Sequence, residues 1–219
     1  MDRWARQFDG YCERTDFGYW SEPVNALTNA AFLIAAIWMW RRVRGRGLPL
    51  AEALCAILFA IGVGSYLFHT HAAAWAAAAD VAPIAAFILT YLYAANRHFW
   101  RLGPGRAALA TGAFLPYAAL TAPAFGALPF FSVSAAYWPV PLLIAAYAVA
   151  LWPRHPDTAR GLALGAALLV ASLVFRSIDE TVCPAVPLGT HFLWHILNGA
   201  MLGWMIEVYR RHRLRAGAG

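Results

Sequence analysis

Two short stretches hold most of the side chains able to do chemistry. One is Gly64–Asp80, "GSYLFHTHAAAWAAAAD", with Ser65, His69, His71 and Asp80; the other is "THFLWHILNG", with His191 and His195. His191 and His195 stand four apart, so on a helix their imidazoles stack on one face and can chelate one metal ion. A third imidazole from a neighbouring helix would complete a three-histidine site with an open fourth position, the arrangement in which catalytic zinc holds a water. His69 is the best candidate, with Ser65 one turn below it, whereas His71 points roughly 200° away at 100° per residue. Asp80 then suits a general base taking a proton from that water, and equally a helix N-cap or a hydrogen-bond partner for a ligating histidine. Ser65 suits a donor to a developing oxyanion.

The surroundings make these residues conspicuous. The chain has 219 residues, of which 61% are hydrophobic and only 13% charged, against about 25% charged in ordinary soluble domains. Ionisable groups inside a bilayer are functional candidates by default. Apolar runs near 24–40, 51–69, 80–96, 107–123, 137–152, 161–178 and 190–208 each approach the roughly 20 residues that span a bilayer. The expected fold is therefore an all-α membrane protein, a seven-transmembrane helix bundle forming one domain over 1–219. Residues 1–23 form an extracytoplasmic N-terminal segment, too charged for a secretory signal peptide.

Arginine sets the orientation. The net charge is +6, but the basic residues lie in short clusters between apolar runs: Arg41, Arg42, Arg44 and Arg46; Arg97, Arg101 and Arg106; Arg154 and Arg160; Arg210, Arg211, Arg213 and Arg215. That pattern argues against a nucleic-acid partner and places these segments in the cytoplasm, with the N-terminus outside and the C-terminus inside. Loops 70–79 and 124–136 on the opposite side carry no charge. His69, Asp80, His191 and His195 then share one depth near the extracytoplasmic face. His98, His155 and His212 sit among arginines and read as interfacial. All seventeen basic residues are Arg, so no lysine is available for a retinal Schiff base. An Ala- and Arg-rich chain without Lys suggests a GC-rich genome and a bacterial inner membrane. Arg176 and Asp179, one turn apart in "FRSIDE", form a candidate ion pair.

Together "EPVNALTN" (22–29), "SYLFH" (65–69), Asp80 eleven residues later and "HFLWH" (191–195) resemble the alkaline ceramidases and their wider superfamily of seven-helix membrane hydrolases. The resemblance implies a zinc-dependent amidase that cleaves ceramide into a sphingoid base and a fatty acid. His69, His191 and His195 would ligate Zn2+, Asp80 would activate the water, and Ser65 would stabilise the transition state. "DGYCERTDFGYWSEP" is similar to the family's Ca2+-binding segment, which implies Asp9, Tyr11, Glu13 and Glu22 as ligands, although Gly10 and Thr15 stand where an acid and an Asn-like ligand are expected. The resemblance also implies a disulfide between Cys12 and Cys183. The expected partner is a lipid substrate from the bilayer. Alternatives are a related hydrolase of another N-acyl lipid or ester, and a non-enzymatic zinc-containing receptor. A proton-relay or transport protein is disfavoured because the polar groups gather near one face.

Overall fold

The computed structural model describes residues 3–216. Ten helices follow in order: α1 (Pro23–Thr28), α2 (Ala30–Val43), α3 (Pro49–His71), α4 (Ala74–His98), α5 (Pro104–Gly112), α6 (Phe114–Gly126), α7 (Pro129–Ser132), α8 (Pro139–Leu151), α9 (Pro156–Val182) and α10 (His191–Ala216). Proline opens six of them (α1, α3, α5, α7, α8 and α9), where its fixed φ suits the first turn and its missing N–H costs nothing. Five segments are long and apolar enough to cross a membrane: Pro23–Val43, Pro49–His71, Ala74–His98, Pro104–Gly126 and Pro156–Val182. Helix α8 is apolar but short, and α10 carries the His pair at one end and Glu207 with several arginines at the other. Large apolar side chains such as Ile34, Trp38, Leu115, Leu120 and Val149 are exposed on the outside of the bundle, as expected when the surrounding solvent is lipid. This is an integral membrane protein.

Helix α10 lies at the centre and touches α1, α2, α3, α4 and α9. It is accordingly buried on several sides, through Met201, Met205, Ile206 and Tyr209. Glycine lets its neighbours close in: a Cβ on Gly199 would crowd the backbone of Ala31 in α2. Helices α3 and α4 pack against each other along much of their length. They come close at Gly64, where a Cβ would overlap the carbonyl of Ala79. Pro83 lacks the N–H that would take that carbonyl within the helix, and so the next residue, Asp80, sits against the α3 backbone beside Ser65.

The junction between α3 and α4 departs from expectation. The apolar stretch 70–79 is not a loop: only Ala72 and Ala73 separate the helices, and Asp80 lies in the second turn of α4 rather than at its start. An alanine run has the highest intrinsic helix propensity, so the helix starts as soon as the turn is made. Asp80 therefore is not an N-cap. Ala72 adopts φ 48°, and residues 6–8 brace the turn through Phe8 N–H to the Ala72 carbonyl (2.8 Å) and Ala74 N–H to the Arg6 carbonyl (2.9 Å). The segment 124–136 likewise contains a short helix, α7.

Candidate metal centre

His69 lies in the last turn of α3, while His191 and His195 occupy the first turns of α10. The three rings stand 4.7–5.1 Å apart between centroids, and each offers a nitrogen within 4.8 Å of the others. All three are at most 2% exposed. Nδ1 of His191 and Nε2 of His195 are buried without a hydrogen-bond partner. Orphaned buried polar atoms are rare and costly, and two of them converging with a third imidazole is the arrangement that a bound cation satisfies. Among the described residues this is the one cluster of His, Cys, Asp or Glu with that property.

Two of the other ring nitrogens are fixed. Nδ1 of His69 lies 2.5 Å from Oε2 of Glu22, and Nδ1 of His195 lies 2.9 Å from the Thr28 hydroxyl. Each contact turns its Nε2 inward, as carboxylate or hydroxyl partners do for metal-bound imidazoles. Glu22 is itself paired with Arg14 and receives the Asn25 amide at 3.1 Å. Burial raises the cost of its charge, but the contacts with His69, Arg14 and Asn25 outweigh it and hold the carboxyl below the usual range. Arg14 also donates to the His69 carbonyl at 2.9 Å. Tyr11 stacks on His191 with centroids 3.7 Å apart. Burial pushes its phenol up to about 12 against the pull of Arg176.

Asp179 sets the entry of α10. Its Oδ1 accepts the backbone N–H of Thr190 (2.6 Å) and His191 (2.8 Å), and its Oδ2 accepts that of Cys12 (3.0 Å). Gly189, at φ 67°, brings the chain so close that a Cβ would collide with this carboxylate. The expected Arg176–Asp179 ion pair is therefore absent, because Asp179 is taken up by backbone donors. Arg176 instead donates to the Val133 carbonyl and the Ser134 hydroxyl, and lies over the rings of Tyr137 and Trp194.

Ser65 and Asp80 are hydrogen-bonding neighbours. They line a cavity of about 50 Å³ with Tyr137, Trp194 and Asn198, enough for a few waters. Through Ile88, Val140, Met201 and Leu202 this cavity adjoins an apolar one of about 60 Å³ that continues to Tyr91 and Tyr147. A cavity with a polar end beside an apolar one suits an amphiphilic lipid.

A family model described as Ceramidase matches residues 10–215. The chain belongs to the ceramidase family. It is thus a hydrolase of the class that acts on amide bonds, with a lipid substrate. A comparison with curated proteins finds no match.

Against that family, the placement of the remaining expected residues is informative. Cys12 and Cys183 are joined in a disulfide, with Cα atoms 5.4 Å apart. Asp9 is exposed. Glu13 accepts the Val24 and Asn25 N–H groups at 2.7 and 2.8 Å and so caps α1. Of the four residues anticipated for calcium, Tyr11 also lies on His191 and Glu22 pairs with His69 and Arg14. His71 is exposed and contacts Tyr19 and Trp75, away from the centre. Sequence reasoning missed Thr28, Arg14 and the capping role of Asp179. Thr28 and Glu22 lie within "EPVNALTN", a polar stretch at the edge of an apolar run, and that was the available signal.

Proposed function

We propose that this ceramidase-family protein is a zinc-dependent amidase that hydrolyses ceramide to a sphingoid base and a free fatty acid. It works within seven spans, in a bacterial inner membrane, with its N-terminus outside and the centre near the extracytoplasmic face. The observation that carries the proposal is the trio of buried imidazoles, two with unpartnered nitrogens, beside a cavity lined by Ser65 and Asp80. Three neutral imidazoles suit zinc by donor type. Zinc held there would lower the pKa of water and polarise the amide carbonyl.

The chain's own residues supply the rest. Asp80 accepts the proton of the attacking water and returns it to the departing amine. The Ser65 hydroxyl turns from Asp80 to donate to the oxyanion on the substrate carbonyl. Glu22 and Thr28 keep the imidazoles of His69 and His195 oriented. The apolar channel past Ile88 and Met201 takes a hydrocarbon chain, placing the amide at the polar end.

The test is fatty-acid release from ceramide and from a matched ester by wild type and Asp80→Asn, with zinc content measured on both and on His191→Ala. We expect about one zinc per chain in wild type and Asp80→Asn, little in His191→Ala, and a drop in turnover of about 10²-fold or more for Asp80→Asn. Cleavage of the ester alone would reassign the substrate. Zinc without turnover of either would favour a receptor.

A further inference from the structure

Far from the histidines, where α2 and α10 reach the arginine-rich end, Glu207 is surrounded. Its carboxylate accepts from Arg42 (3.1 and 3.3 Å), Arg210 (2.7 and 2.8 Å) and Arg211 (2.7 Å). One carboxylate facing three guanidiniums leaves two positive charges in excess. Asp157, an acid at this end on α9, is already held by Arg160 and Arg215. Only Nε of Arg211 is taken by Glu207, and among the described residues its terminal nitrogens have no hydrogen-bond partner. The guanidinium is held over the Trp204 ring at 5.4 Å, and that ring is fixed by its N–H to the Gly161 carbonyl at 2.8 Å. Arg42 likewise keeps one terminal nitrogen unused.

This cluster closes one end of a groove of about 610 Å³ between α2 and α10, floored by Ala31, Ala35, Ala200 and Gly203 and walled by Trp38 and Trp204. From Ile196 to Arg211 it follows sixteen residues of α10, about 22 Å of helix from the first to the last, more than half of the roughly 30 Å hydrocarbon core of a bilayer. The combination is specific: an apolar trough facing the lipid, ending at headgroup level in a fixed, net-positive pair of guanidiniums with free N–H groups.

We propose that this groove binds one anionic glycerophospholipid, its phosphate on Arg211 and Arg42 and an acyl chain along the small-residue floor. Planar guanidinium forks match phosphate oxygens, and basic pockets between spanning helices suit anionic headgroups. A second copy of the chain is a poor occupant, because a two-fold contact through this face would bring the same excess positive charge against itself.

Native mass spectrometry of the full-length protein released from micelles, titrated with dioleoylphosphatidylglycerol, dioleoylphosphatidylcholine or inorganic phosphate, tests the assignment. One phosphatidylglycerol should be retained, millimolar phosphate should not displace it, and each arginine replaced in Arg42→Gln and Arg211→Gln should lower retention about fivefold. Ala200→Phe, which fills the trough without changing any charge, should also weaken retention. All variants are checked by thermal unfolding in lipid-free micelles; if an arginine variant fails to fold, the Ala200→Phe result decides. Equal retention of the two phospholipids, displacement by phosphate, or a lipid-free dimer abolished by Ala200→Phe would each overturn the proposal.

Discussion

Glu22 is buried and serves Arg14, His69 and Asn25 at once. A carboxylate on the outer nitrogen of an imidazole fixes the ring and raises its basicity, and losing such a partner commonly costs a metal site 10–100-fold in affinity. Glu22→Gln keeps the shape but not the charge, so zinc affinity, measured by chelator competition, should fall by about that factor. Thr28→Val should have a smaller effect, since a hydroxyl contributes orientation without charge. Affinity unchanged in both would mean that packing alone orients the rings. The histidines themselves were legible from spacing, because an i, i+4 pair commits two side chains to one face whatever the tertiary structure. Glu22 and Thr28 were not legible in this role. Their partners lie 47 and 167 residues away in sequence, and no local pattern encodes a contact that only helix packing creates.

At the scale of elements, the site depends on where α10 begins. Asp179 accepts three backbone N–H groups and is 2% exposed. Asp179→Ala would leave buried donors unsatisfied and should destabilise the protein by about 2 kcal/mol, the upper end of the range for helix caps. Asp179→Asn retains one acceptor oxygen and should lose less. Denaturant titration in mixed micelles measures both, and equal losses would show that the carboxylate acts by charge rather than by capping. The helices were largely legible because apolar runs bounded by Pro, Gly and Arg have few alternatives. Their ends were less so. The α3–α4 turn was read as a ten-residue loop because charge-free alanines carry no boundary signal, and Asp80 resembles a cap in a sequence that cannot show Ala72 and Ala73 turning the chain. Arg176 and Asp179 show the same limit: proximity of opposite charges suggested a pair, and the backbone of a distant helix start claimed the carboxylate.

Over the whole molecule, the two ends handle histidine differently. At one end three imidazoles present nitrogens to a common point; at the other, His212 ties α10 to α9 and α4. Its Nδ1 lies 2.9 Å from the Thr158 hydroxyl and its Nε2 3.3 Å from the His98 carbonyl. It is buried, at 8% exposed. The neutral ring, with Nε2 carrying the proton, satisfies both partners. Burial lowers its pKa to about 4, reinforced by His155, Arg213 and Arg101 and only partly offset by the His98 carbonyl. In the unfolded chain it titrates near 6.5. Between these values the unfolded state binds more protons, so this residue makes the fold less stable as pH falls from about 6.5 towards 4. The metal-site histidines add their own acid sensitivity, so the comparison that isolates His212 is wild type against His212→Gln under identical conditions. The stability advantage of wild type, read from unfolding midpoints at pH 7.5 and 5, should shrink at the lower pH. An advantage independent of pH would mean that the ring stays neutral in both states or is charged in both, and that this end of the bundle is held by packing alone.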